Sequence, residues 1–123
     1  MTVAMVLIGG AIGAPLRYLT DLFVRSRRES AVPWGTFIVN VAGSLVLGVT
    51  AAVATGMTMP SWVLPLVATG FCGALTTFST FGYETIRLLE EGSTLAAATN
   101  SLASLGASLG ACAGGYAVTA LLV

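Results

Sequence analysis

The stretch from Gly70 to Gly82 reads Gly-Phe-Cys-Gly-Ala-Leu-Thr-Thr-Phe-Ser-Thr-Phe-Gly. It lies inside a long apolar segment, yet it carries Gly70, Gly73 and Gly82, the hydroxyls of Thr76, Thr77, Ser79 and Thr80, and two rings, Phe78 and Phe81. Elsewhere, Thr36, Asn40 and Gly43/Ser44 recur at helical spacing, and Asn100, Ser104 and Ser108 recur every four residues. Amides and hydroxyls donate hydrogen bonds without carrying a fixed charge. A set of them on facing helices suits an anion, which would exchange its water for neutral donors. Aromatic rings are negative on the face and positive at the edge, so edge-on Phe78 and Phe81 suit the same path. They would offer binding that is favourable but escapable, as conduction requires.

Each of these features also has a structural explanation. Small residues let helices approach closely, phenylalanines fill membrane cores, and a serine bonds the carbonyl one turn back. A carboxamide such as Asn40, set among Ile38, Val39, Val41 and Ala42, needs a partner in lipid. An interhelical hydrogen bond and a donor lining a polar path both supply one. Acidic residues are confined to segment ends or loops: Asp21, Glu29, Glu84, Glu90 and Glu91. Proton-coupled carriers and cation pumps usually need one deeper. Histidine is absent, and Cys72 and Cys112 both sit in apolar segments, where they read as small buried hydrophobes. No constellation at catalytic spacing is present, so an enzyme is not expected.

The elements that must position these residues follow from composition. The chain has 123 residues, 56% hydrophobic and 8% charged, against about a quarter charged in soluble domains. A spanning helix needs about 20 apolar residues, so the length accommodates a single all-α membrane domain of four helices. Their expected ranges are about 2–22, 34–55, 61–89 and 94–121. The N-terminus lacks the basic start of a secretory signal and reads as the first spanning helix. Within it, Gly9/Gly13 and Gly10/Ala14 form small-xxx-small pairs. Pro15 is a possible kink, and Arg17 and Asp21 are spaced to pair. The third helix is too long for one straight crossing of about 30 Å. A break near 73–77 resolves the excess, because glycine- and hydroxyl-rich backbone is tolerated at membrane depth where protein or water surrounds it. Broken helices of this kind hold ions with freed carbonyls. Gly106, Gly110 and Gly114 give the fourth helix a second, small-residue stripe.

Three motifs match a known family: Gly-Gly-Ala-Ile-Gly-Ala-Pro-Leu-Arg-Tyr (Gly9 to Tyr18), Trp-Gly-Thr-Phe-Ile-Val-Asn-Val-Ala-Gly-Ser (Trp34 to Ser44) and Gly-Phe-Cys-Gly-Ala-Leu-Thr-Thr-Phe-Ser-Thr-Phe (Gly70 to Phe81). On these the chain closely resembles the CrcB/Fluc family of small fluoride channels over nearly its whole length. The resemblance implies a passive, fluoride-selective channel in a bacterial cell membrane that lets the toxic anion leave the cytoplasm. It implies an antiparallel dimer of four-helix subunits with two pores, and a central sodium ion held by the backbone carbonyls of Gly73 and Thr76. It implies pore roles for Asn40, Phe78, Phe81, Ser104 and Ser108. Thr36, Thr77, Ser79 and Glu84 are further members of the polar track, and Arg17 corresponds to a vestibule arginine. The family often has an aromatic residue at the position of Asn100.

All five basic residues are arginines, and with four crossings they fall on one side: Arg25, Arg27 and Arg28 in the first loop, Arg17 and Arg87 at adjoining helix ends. Positive charge favours the cytoplasm, so the termini are expected outside. That bias raises a heterodimer with an oppositely oriented homologue as an alternative to the homodimer. A small dual-topology drug or cation exporter is the rival class. It needs a membrane-embedded carboxylate in the first helix, and here none precedes Asp21.

Overall fold

The computed structural model describes residues 1–27 and 34–123. Arg28, assigned above to the first loop, and Glu29 lie outside the described residues. The described residues form α1 (Thr2–Arg27), α2 (Trp34–Gly56), a π-helical segment (Pro65–Cys72) running directly into a short α3 (Gly73–Leu75), then α4 (Ser79–Glu90) and α5 (Thr94–Leu122). Three helices, α1, α2 and α5, are each long and apolar enough to cross a membrane. The chain is therefore a multi-pass membrane protein by length and composition. Leu7, Ile12, Leu102, Leu109 and Val118 are all exposed, as apolar side chains facing lipid would be.

Helix α1 continues through Pro15 and runs to Arg27, beyond the expected end near residue 22. Its last turns are held by Arg25, which pairs with Asp21 at 3.0 Å, and by Arg27, whose guanidinium lies 5.1 Å from the centre of the Phe23 ring. Asp21 thus pairs with the arginine one turn after it, not with Arg17 one turn before it as expected. Helix α4 ends on Gly92, whose φ of 82° needs glycine, and the N–H of Ser93 closes back on the Leu88 carbonyl at 2.9 Å. This is the glycine-terminated turn that commonly ends helices.

Packing relies on missing side chains. Lipid gives helices no hydrophobic reason to associate, so close backbone approach supplies dispersion contacts instead. A methyl added to Gly9 would strike the backbone of Leu66 and Phe71, one on Gly13 would strike Phe71, and one on Gly70 would sit 2.5 Å from the Val6 carbonyl. Helix α1 therefore lies against the π-helical segment, side by side and parallel. Gly70, read above as part of an interrupted polar stretch, belongs to this crossing. A second parallel pair joins α2 to α5, where Gly48 abuts Cys112 and Gly115 abuts Leu45. The expected stripe of Gly106, Gly110 and Gly114 takes no part in that packing: added methyls there meet nothing within 4 Å. Gly115, one residue away, faces the partner helix in its place. Both cysteines are free; Cys72 is buried and Cys112 half-buried.

Helix α2 runs antiparallel to α4, since Thr36 meets Glu84 while Asn40 meets Thr77 just before α4, and α4 runs antiparallel to α5, since the tight turn at Gly92 is followed by the Asn100–Thr85 contact. The four described arginines then gather toward one end of the bundle, where α1 finishes beside the start of α2 and α4 finishes beside the start of α5. At the other end, the residues from Gly56 to Ser61 carry no charge.

The glycine crossings generate a direct stability prediction. Gly9→Ala and Gly48→Ala should each lower the thermal unfolding midpoint in detergent. Overpacking against rigid backbone costs about 1–3 kcal/mol, more than the roughly 1 kcal/mol that alanine gains in helix propensity. Gly82→Ala, with open space around it, should leave the midpoint unchanged or raise it.

Candidate functional site

The site is built on an interruption between Leu75 and Ser79. Helix α3 stops because Thr76 turns to an extended backbone, φ −81° and ψ 161°. Its N–H and hydroxyl both close on the Cys72 carbonyl, at 3.0 and 2.8 Å. In a continuing helix the next N–H, that of Thr77, would return to the Gly73 carbonyl. It donates instead to Asn40 Oδ1 at 2.7 Å, while Asn40 Nδ2 donates to the Thr77 carbonyl at 3.0 Å. The carboxamide thus pairs with both polar groups of residue 77 as a second peptide would. The Thr77 hydroxyl accepts the N–H of Thr80 at 3.2 Å, meeting one of the orphan donors at the start of α4. Asn40 therefore has the structural partner that its apolar setting demands, and that partner is the interrupted backbone itself.

A cavity of about 330 Å³ opens beside this interruption. Helix α2 contributes Asn40 and Ser44 to its walls, the interruption contributes Gly73, Thr76 and Thr77, and α5 contributes Ser104 and Ser108. Phe78 and Phe81 stand at the rim of the remaining side, their ring centres 6.0 Å apart and their planes tilted by 46°. Ser104 is buried, whereas Phe78 is 80% exposed. The single chain thus supplies three walls and leaves the phenylalanine side largely open.

The remaining candidates lie around this cavity. Ser79 is exposed, with its hydroxyl 3.4 Å from that of Thr77. Thr36 is buried and donates to the Glu84 carboxylate. Arg17 lines a second cavity of about 180 Å³ with Asp21, Thr36, Thr77 and Thr80. Its guanidinium donates to the Thr76 carbonyl at 3.4 Å. Thr77 faces both cavities, so its clamped peptide is the partition between them.

Sequence reasoning missed one connection. Asn100, buried, donates to the Thr85 hydroxyl at 3.0 Å, and Thr85 donates to the Phe81 carbonyl at 2.9 Å. Thr85 sits four residues after Phe81, a spacing that was available but carries little weight without knowledge of which helix faces it.

Residues 4–116 match the family model described as CrcB-like protein, Camphor Resistance (CrcB). The chain belongs to the CrcB family. Among its relatives is "Fluoride-specific ion channel FluC 1" of Frankia casuarinae, 51% identical over 93% of this chain and 92% of the relative. The protein of the same name in Streptomyces avermitilis is 53% identical over 87% of this chain and 86% of its own length. "Fluoride-specific ion channel FluC 2" of Rhodococcus jostii is 43% identical over 97% and 99%. The CrcB match spans the clamp, both rings and the α5 serines, so all of the site described here lies within it.

The clamp makes a measurable prediction. In Asn40→Leu the half-buried Thr77 N–H loses its acceptor, and its amide exchange should accelerate by about 5- to 10-fold, the effect of one lost hydrogen bond. Exchange within α5 should not change.

Proposed function

We propose that this chain is a subunit of a fluoride channel that releases the anion passively from the cytoplasm. The observation that carries the reading is the cavity beside the interrupted helix. Its polar walls are neutral (a carboxamide and several hydroxyls), and two phenylalanines border it. A small, strongly hydrated anion gives up water only where donors replace it, and Thr77, Ser104 and Ser108 have hydroxyls to offer, the Thr76 proton being held by the Cys72 carbonyl. Asn40 spends one amide hydrogen on Thr77 and retains a second. The ring edges of Phe78 and Phe81 extend the path with weak positive potential. No charged side chain lines the cavity to trap the ion, in keeping with conduction. The name of the relatives, fluoride-specific ion channel, points the same way.

The proposed assembly is an antiparallel dimer in the bacterial cell membrane, with surrounding lipid and a second protomer completing the open phenylalanine side. A sodium ion at its centre would be held by the carbonyls of Gly73 and Thr76. The backbone fits such a donor set. Thr77 gives its N–H to Asn40 and not to Gly73, and the Thr76 carbonyl lies outside the helical ladder. The Thr76 oxygen already accepts from the Arg17 guanidinium and keeps a second lone pair. A bound cation would supply a fixed positive charge and brace the interruption. Arg17, beside Thr77 and Thr80, fits the wall of an entry vestibule, and Ser79, Thr36 and Glu84 extend the polar track away from the cavity.

The concentration of arginines at one end favours insertion with the termini outside. A protomer so biased would pair with an oppositely oriented homologue in place of a second copy. Cysteine labelling of the termini in cells separates the two arrangements: labelling from outside alone fits the heterodimer, and equal labelling from both faces fits the homodimer.

The central test is anion efflux from liposomes. Purified protein should release fluoride rapidly and chloride negligibly. Phe81→Ile should reduce fluoride flux by about two- to ten-fold, since the lost edge interaction is worth roughly 0.5–1.5 kcal/mol. Chloride flux equal to fluoride flux would overturn the reading.

A further inference from the structure

We infer that Asn100 and Thr85 act as positioning residues for Phe81, setting the ring wall of the cavity against its serine wall. This rests on the reading of Phe81 as part of the anion's path. On a helix, residues separated by three and four share a face, so Phe81, Glu84 and Thr85 lie along one line of α4. Two of them are tied to different neighbours: Glu84 accepts from Thr36 of α2, and Thr85 accepts from Asn100 of α5. Two adjacent anchors, pulled toward two separate helices, fix how far α4 can rotate about its axis. Rotation is the motion that would swing Phe81 toward or away from the cavity.

The second tie reaches Phe81 itself. Thr85 passes the interaction on by donating to the Phe81 carbonyl at 2.9 Å. A threonine bonding back one turn tilts the carbonyl that receives it, and a donor placed on the same hydroxyl strengthens the outgoing bond. The backbone that carries the ring is thereby coupled to a side chain on another helix. Asn100 also lies one turn before Ser104 on α5, and Ser104 faces the cavity with Phe81. Anchoring α4 at Asn100 therefore sets the register between ring and hydroxyl. The cost of leaving a buried carboxamide unpaired makes the tie hard to release. Phe78, 80% exposed and at the very start of α4, has no equivalent anchor.

The test combines an isosteric series with a readout that does not depend on flux. Asn100→Leu and Thr85→Val each remove the bond and keep the volume, and Thr85→Ser retains the hydroxyl. Each single variant should lower the fluoride-over-chloride permeability ratio by about ten-fold, the effect of one buried hydrogen bond, and Thr85→Ser should restore it. The Asn100→Leu/Thr85→Val double variant should be no worse than either single change. With 4-fluorophenylalanine at position 81, the ¹⁹F spectrum of the otherwise unchanged protein should show one sharp line, and Asn100→Leu should broaden or split it. Additive losses in the double variant, or an unaltered ¹⁹F line, would overturn the inference while leaving fluoride conduction intact. If the parent protein conducts no fluoride, the reading of the site fails, and the ¹⁹F line still reports on the anchor. Elution as a single species of unchanged size separates loss of positioning from loss of fold, and the Thr85→Val and Thr85→Ser pair carries the test should Asn100→Leu not fold.

Discussion

The interaction on which the rest of the structure depends is the pair of hydrogen bonds between the Asn40 carboxamide and the peptide groups of Thr77. A helix that stops inside an apolar chain exposes donors and acceptors that lipid cannot satisfy. Only a side chain with both a donor and an acceptor in a planar arrangement can stand in for the missing peptide, and among the standard residues asparagine and glutamine have one. By claiming the Thr77 N–H, Asn40 denies it to Gly73 and so maintains the interruption. The same exchange lets the chain change direction, brings Phe78 and Phe81 to the rim of the cavity, and leaves carbonyls outside the helical ladder. The bond that satisfies the Asn40 amide also sets Asn40 and Thr77 in the cavity wall, so the structural reading of Asn40 is compatible with the pore role proposed for it.

That wall is held in place by backbone contact. Gly9 and Gly13 bring α1 against the π-helical segment just before the interruption, and Gly48 and Gly115 bring α2 against α5. Each crossing joins parallel helices, so the bundle consists of two tightly joined pairs. The cavity lies where they meet, with Asn40 and Ser104 contributed by one pair and Thr77 by the other. Side-chain hydrogen bonds between the pairs are few and specific: Asn40 to Thr77, Thr36 to Glu84 and Asn100 to Thr85. Packing sets the pairs, and polar bonds set how the pairs sit on each other.

Much of this was legible in the sequence, for identifiable reasons. Low charge and long apolar runs specify a membrane chain of known helix count. A hydroxyl run bounded by glycine in such a chain marks irregular backbone, and Asn40 announced itself because a carboxamide in an apolar segment needs a partner. What was not legible depends on which faces meet. Gly114 and Gly115 are indistinguishable by type, yet only the second packs within the chain. Arg17 and Asp21 have ideal spacing, but Arg25 offers the same spacing on the other side, and Arg17 finds a carbonyl instead. Thr85 carries no signal until α5 is placed beside it. The π-helical segment is hidden as well: Pro-Leu-Val-Ala-Thr-Gly-Phe-Cys has the composition of an ordinary apolar helix, and the wider turn shows itself only in the structure.

The open side of the cavity constrains how such a chain can work. Phe78 stands 80% exposed at the edge of a polar pocket. In lipid, that pocket would place hydroxyls and peptide groups against hydrocarbon, at a cost for every unsatisfied group. A second protomer removes the conflict, because it would cover the rings and isolate the polar lining from lipid in one step. The glycine face of Gly106, Gly110 and Gly114, unused within the chain, offers a flat surface on the same helix as the cavity serines. The proposed dimer and the proposed anion path therefore support one another: a second protein surface over the open side would spare the polar lining the cost of facing lipid.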